Sequence, residues 1–277
     1  MTVLVTGASG LVGRALVDEL TGRGAPVLAA TRNPAAPVPA GATVVAPGEF
    51  DGAETVFLNP RAVPDPVPYL RRARAHGVRK VVVLSAANVD DPLDEQPSRF
   101  AGDRNKEAED AAVTSGLAWV SLRPSTFAAN TAGLFGPALR AGDVVRSVYP
   151  GFVESPLHER DLAAVAAHAL LGDDLDGERL PLTGPEDLSH AAMVSVIGAV
   201  LGRSLSYAEL APDDAVRGMT AAGMPAAFVT ALIGRYARHL DKPQFPANGT
   251  VAAVLGRPAL TYAEWVAAHA TLFARRS

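Results

Sequence analysis

Val3-Leu4-Val5-Thr6-Gly7-Ala8-Ser9-Gly10-Leu11-Val12-Gly13 is the stretch whose reading decides the fold. A short apolar run enters a glycine-rich turn, and the helical pattern Ala15-Leu16-Val17 to Leu20 follows at once. A buried strand that ends in glycines and restarts as a helix aims backbone N–H groups and a positive helix end at one small space, which suits a pyrophosphate. Gly7 makes the tight turn, Gly10 lets phosphates approach the main chain, and Gly13 lets the helix lie close on the strand. A second apolar run, Pro26 to Thr31, ends in Arg32, about where the ribose end of a dinucleotide should lie. Position alone leaves Arg32 open to a second reading, as a surface arginine at a strand end.

Outward from this stretch, strands and helices alternate. Thr43 to Ala46 and Thr55 to Leu58 read as third and fourth strands, but the link 47–54 between them is shorter than a helical crossover needs. Either a tight irregular loop bridges two parallel strands, or one of the two is not a strand. Prolines 64, 66 and 68 feed a helix through Tyr69, Leu70 and Ala73 that Gly77 stops. Lys80 to Leu84 is the clearest buried strand, followed by Ser85-Ala86-Ala87-Asn88, a helix over 98–115 and a strand over 118–122. Beyond residue 125 the pattern becomes mainly helical, with a short strand over 144–148, an alanine-rich helix over 160–171 and a last short strand over 179–182. Ser189 is an N-cap, and Thr261 with Glu264 forms a capping box. The expected fold is α/β, a doubly wound Rossmann-type parallel sheet. Residues 1–125 form its nucleotide-binding core and 126–277 a smaller, mainly helical substrate-side region, from which segments around 144–183 return to the sheet.

Composition narrows the function. The 277 residues carry 25 basic and 29 acidic side chains, for a formal charge of -4, which argues against nucleic acid or an anionic membrane as partner. There is no cysteine, so disulfides, thiolate metal sites and cysteine nucleophiles are excluded. The chain opens directly into its first strand and carries no long apolar segment, and the expectation is a soluble cytoplasmic protein, monomer or homodimer. No G-x-S-x-G or H-E-x-x-H occurs, and His158-Glu159 with Asp161 reads as helix capping rather than as a metal site.

Several segments in this order resemble the NmrA-like family of atypical short-chain dehydrogenases, which includes NAD(P)H-dependent quinone and azo reductases. They are Val3 to Gly13, Thr31 to Pro34, Gly77 to Ser85, Lys106 to Glu109, Gly116 to Phe127, Arg160 to Ala166 and Leu182 to Glu186. The resemblance implies that Thr6, Gly7, Ser9, Gly10, Leu11, Val12 and Gly13 hold the pyrophosphate. It implies that Arg32 pairs with an adenosine 2′-phosphate, favouring NADP(H), and that Glu49 and Phe50 lie near the adenine. Leu58, Asn59 and Pro60 would follow the ribose, with Ser85 and Ala86 beside the nicotinamide. Lys106 matches a lysine that binds nicotinamide-ribose hydroxyls in the larger superfamily, although an ion pair with Asp110 one turn on explains it equally well.

The departures carry as much weight. Catalytic short-chain dehydrogenases place a tyrosine four residues before that lysine, and its phenol protonates the oxygen that hydride attack makes negative. Here the position is Gly102, and the assisting serine two beyond Ser85 is Ala87. The resemblance therefore implies an NADPH-dependent reductase of quinone-like or conjugated aromatic small molecules. A cofactor sensor without turnover, and a tailoring enzyme acting on aromatic natural products, are the alternatives. His158 is the one proton donor the sequence offers, and a tyrosine restored at 102 is expected to recover slight ketone activity. Phe127, Asn130, Phe135, Tyr149, Phe152 and His158 are expected to wall the substrate, with Met219, Met224 and Phe228 from the helical part.

Overall fold

The computed structural model describes residues 1–275. β1 (Val3–Thr6) is buried at every position and leads into α1 (Leu11–Gly22), whose buried Val12, Leu16, Val17 and Leu20 recur at helical spacing and turn one face to the sheet. β2 (Val27–Ala30), β3 (Thr43–Val45) and β4 (Thr55–Leu58) follow, then α2 (Pro66–Ala75) and β5 (Lys80–Leu84). α3 (Pro97–Phe100) and α4 (Asn105–Thr114) precede β6 (Ala118–Pro124). The remaining elements are α5 (Asn130–Leu134), α6 (Gly136–Ala141), β7 (Val144–Ser147), β8 (Val153–Glu154), α7 (Glu159–Leu171), β9 (Arg179–Leu182), β10 (Leu188–Ser189), α8 (His190–Leu201), β11 (Ser206–Glu209), α9 (Pro212–Ala221), α10 (Ala226–Arg238), α11 (Thr250–Leu255) and α12 (Tyr262–Ala268).

Seven strands form one parallel sheet in the order β3-β2-β1-β4-β5-β6-β9. The chain reverses direction across the sheet between β1 and β4, so the crevice for a dinucleotide opens above the ends of those strands. Helices cover both faces: α1 and α7 pack with Val3, Val5 and Phe57 on one, and Leu4, Val56 and Leu58 pack with α2 and α4 on the other.

Both short strands in doubt are real, and they lie on opposite sides of the β2–β1 pair. The link 46–54 crosses that pair without a helix. Its place in the packing is taken by one side chain. Phe50 is 1% exposed and meets Tyr69 edge-on, with ring centroids 4.9 Å apart, beneath β4 and α2.

The helix expected over 98–115 is two helices, because Gly102 adopts φ +97° between α3 and α4 and no helix continues through a left-handed residue. Of the segment 144–183, α7 and β9 return to the large sheet, whereas β7 pairs with β11 and β8 with β10 in two-stranded ribbons. β9 is therefore not the last strand. Beyond residue 126 a separate core gathers around Phe135, Tyr262, Trp265 and Phe273, with a second cluster in which Val148 and Phe152 meet Val229, Ile233 and Tyr236 of α10. α11 packs back onto the sheet through Val251.

Candidate functional site

The groove is built first from main chain. Gly7 turns at φ +66°, its carbonyl accepts from the Gly10 amide at 2.9 Å, and Thr6 ties β1 to β4 by donating to the Phe57 carbonyl and accepting from the Asn59 amide, both at 2.8 Å. A Cβ on Gly13 would lie 2.1 Å from the Gly7 carbonyl oxygen, so only glycine lets α1 sit this close. No side chain caps α1, whose first turn begins at Gly10. Its leading amides are left for a ligand, and this uncapped, Cβ-free cradle fits a pyrophosphate. At the end of β2, Thr31 Oγ1 lies 3.4 Å from Ser9 Oγ, which brings the exposed Arg32 beside the same loop; Arg32 has no ion-pair partner among the described residues.

From Gly10, Leu11 and Val12 a cavity of about 750 Å³ runs past Asn59, Pro60, Ser85, Ala86, Ala87 and Asn88 to Ser125, Phe127 and Asn130. Met219, Met224, Phe228 and Leu232 of α9, its following turn and α10 close the far wall, with Glu154, His190, Arg235 and Tyr236 beside them. The phosphate end, the floor over β5 and the apolar wall thus share one continuous space.

Ser85 lines this space, but its hydroxyl is turned away from it, donating to Glu109 Oε2 at 2.6 Å. Glu109 lies 3% exposed beneath the strand ends and also accepts from Ser121 at 2.6 Å, from Arg123 and from Arg179 at 2.9 Å. Burial alone would raise this carboxyl, but the bonds from Arg123, Ser121, Ser85 and Arg179 outweigh it and hold the pKa at about 2. At the other end of the cavity burial again works upward on Glu154, and His190 and Arg235 hold its carboxyl below the ordinary range. Burial also drives the Tyr236 phenol far above its usual value, so it stays protonated at neutral pH.

Other expected site residues stand elsewhere. Lys106 lies outside the cavity on the exposed side of α4, its Nζ 2.5 Å from Asp110, so the intrahelical ion pair accounts for it in this structure. His158 is 3% exposed and caps α7, Nδ1 accepting from the Arg160 amide at 3.2 Å, and it is not among the residues that line the cavity. Phe50 and Leu58 spend their side chains on the core, leaving only main chain toward a cofactor. Glu49 is exposed, its carboxylate accepting from the Ala46 amide at 3.1 Å. Phe135 and Phe152 are fully buried and, with Tyr149, belong to the packing behind the wall, whereas Phe127, Asn130, Met219, Met224 and Phe228 face the cavity as expected.

Gly102 is exposed, outside the cavity and in a left-handed backbone. A tyrosine there would be strained by that backbone, although Ala101 and Asp103 on either side of it line the cavity. The rim pair Arg61–Asp103, bonded at 2.7 and 3.1 Å, and the cluster of Glu154, His190 and Arg235 have no local motif that would have marked them. Among the described residues no group of three or more potential ligands could hold a metal ion, and no helix is long and apolar enough to cross a membrane.

The profile of the NAD dependent epimerase/dehydratase family matches residues 3–59. The chain is 34% identical, over 98% of its length and 99% of the relative, to (4-alkanoyl-5-oxo-2,5-dihydrofuran-3-yl)methyl phosphate reductase of Streptomyces griseus subsp. griseus. It is 32% identical to the NAD(P)H azoreductase of Xenophilus azovorans, over 82% of this chain and 79% of that protein. Among solved structures, the Escherichia coli NADPH-dependent quinone oxidoreductase complexed with NADPH superposes with a TM-score of 0.77 at 21% identity, covering 98% of this chain and 100% of the other.

Proposed function

The chain belongs to the NmrA-like family of atypical short-chain dehydrogenases and is an oxidoreductase, and from that premise we propose that it reduces conjugated, ring-bearing small molecules with NADPH. The observation that carries this reading is the one continuous cavity joining an uncapped helix start to the apolar wall of Met219, Met224, Phe228 and Leu232. NADPH, when bound, supplies a hydride. Gly10, Leu11 and Val12 would hold its pyrophosphate, Arg32 the adenosine phosphate, and Ala86 to Asn88 the floor beneath the nicotinamide.

An acceptor suited to this site spreads the incoming charge over its own atoms. A quinone does so as a phenolate, and a ring C=C flanked by two carbonyls does so as an enolate, each of which water can protonate. The substrate named for the Streptomyces relative, a dihydrofuranone bearing an alkanoyl group, belongs to this class. A plain ketone gives a localised alkoxide and needs an acid in the transition state.

The test is a panel of quinones, azo dyes, unsaturated lactones and simple ketones followed at the NADPH absorbance, with cofactor binding measured separately. Turnover confined to the conjugated acceptors is expected. Efficient reduction of a simple ketone would overturn the reading, and tight NADPH binding with no acceptor turned over would put a sensor in its place.

A further inference from the structure

Arg235 is the cation beside the apolar wall of the cavity, whereas Arg61 at the rim is engaged by Asp103. Arg235 lies on the face of α10 that also presents Phe228, Leu232 and Tyr236. Its guanidinium is held on two sides: NH1 donates to Glu154 Oε1 at 3.0 Å and Nε to Gln244 Oε1 at 3.1 Å, while the plane sits 5.6 Å from the Phe152 ring centre. NH2 has no hydrogen-bond partner among the described residues. Gln244 in turn donates to Asp91 at 2.7 Å, on the loop that continues from Ala86 to Asn88, so the arginine is tied to the nicotinamide side of the groove.

The supports of Arg235 are unlike an ordinary structural ion pair. Glu154 Oε2 lies 3.6 Å from His190 Nε2, and both ring nitrogens of this 1% exposed histidine lack a hydrogen-bond partner among the described residues. Burying such a half-satisfied charged cluster is no better for stability than packing apolar side chains of the same volume. Its position on a cavity wall gives it another use: a desolvated cation with one free edge stabilises negative charge far better than water does.

We propose that Arg235 is a catalytic residue whose free guanidinium edge holds the acceptor oxygen that becomes negative during reduction, with Glu154 and Gln244 as positioning residues. This rests on the reading of the protein as a reductase of conjugated acceptors. In the step, hydride adds to the electron-poor carbon, the C=C pair moves through the conjugated system onto the carbonyl oxygen facing Arg235, and a proton from water later completes the product. The acceptor is reduced by two electrons and NADPH is oxidised by two.

Donors preorganised at a developing oxyanion contribute about 100-fold to 1,000-fold in rate. R235Q should therefore lower kcat about 100-fold with weakly activated unsaturated lactones and only severalfold with strongly oxidising quinones, with KM and NADPH affinity little changed. The double variant E154Q/R235M removes both charges together and should show the same acceptor dependence in a folded protein, as checked by circular dichroism. A second readout needs no turnover. With NADP+ present, para-nitrophenol should bind the wild type as the yellow phenolate below its solution pKa, and bind R235Q and the double variant only as the neutral phenol.

An equal loss with every acceptor, a rise in KM alone, or a bound phenolate that survives in R235Q would overturn the proposal. If the wild type reduces no acceptor, the functional reading fails by itself. The nitrophenol titration then still decides whether Arg235 holds an oxyanion: phenolate bound only by the wild type supports it, and neutral phenol in all proteins sinks it.

Discussion

Two buried carboxylates mark the two ways this chain uses charge. Glu109, under the strand ends, has its oxygens filled by Ser85, Ser121, Arg123 and Arg179, and none of that chemistry faces the cavity. Glu154 meets Arg235 on one oxygen and, at the cavity wall, stands near a histidine without a hydrogen-bond partner among the described residues. The same division holds for the halves they belong to. The end proposed for the cofactor is main chain and closed packing, whereas the end proposed for the acceptor includes charged side chains with capacity to spare. Satisfied polar groups specify an architecture, and unsatisfied ones at a cavity are available to a ligand.

The largest effect expected at the main-chain end comes from Gly10→Val. A Cβ there would lie 3.3 Å from the Gly7 carbonyl oxygen and would crowd the cavity at the proposed phosphate site, so NADPH binding should be lost while circular dichroism barely changes. Normal NADPH affinity in this variant would mean that the cradle is not where phosphates sit.

Glu109→Gln tests the closed carboxylate. Removing one partner of a buried ionic network costs about 3 to 5 kcal/mol, seen as a lower urea midpoint. The carboxyl's pKa is near 2 in the folded chain against an ordinary 4.5, so its contribution is complete above 4.5 and disappears as pH falls from there toward 2. That linkage amounts to about 3 kcal/mol. Wild type should therefore lose stability in that acid window faster than the variant, and parallel curves would break the contrast with Glu154.

Arg32→Ala should weaken NADPH by about tenfold or more, the value of a charge-assisted phosphate contact of roughly 1.5 to 3 kcal/mol. NADH should be unaffected. Titration of both cofactors checks it, and an unchanged NADPH affinity would remove the 2′-phosphate from Arg32. Smallest is Phe228→Ala on the half-buried apolar wall. Losing part of a contact worth about 1.5 to 3 kcal/mol should raise KM for ring acceptors severalfold and leave NADPH affinity alone. A cofactor effect equal to the acceptor effect would blur the two ends of the groove into one site.

Why one end was legible and the other was not follows from how each is encoded. The Gly7 to Gly13 turn, the strands and the caps at Ser189 and Thr261 are local patterns, so neighbouring residues announce them. Arg235, Glu154 and His190 come from α10, β8 and α8, and no spacing along the chain connects them. Aromatics at 135 and 152 carry the same pattern whether they face a ligand or a core, and only packing separates Phe152 from Phe127. Lys106 and His158 each have two readings in the sequence, and packing supplies the plainer one, an intrahelical partner for the lysine and a helix start for the histidine. The break at Gly102 depends on a backbone sign that a single glycine in a helical run does not declare.

That glycine also limits what this protein can become. A residue with a side chain in a left-handed backbone costs about 1 to 3 kcal/mol, so a tyrosine substituted at 102 is penalised at φ +97° before it can help catalysis. Ala101 and Asp103 on either side line the cavity, so that strain would fall on the rim of the site itself. Substitutions in the apolar wall of α9 and α10 carry no such backbone penalty, and they are the cheaper route to a changed acceptor.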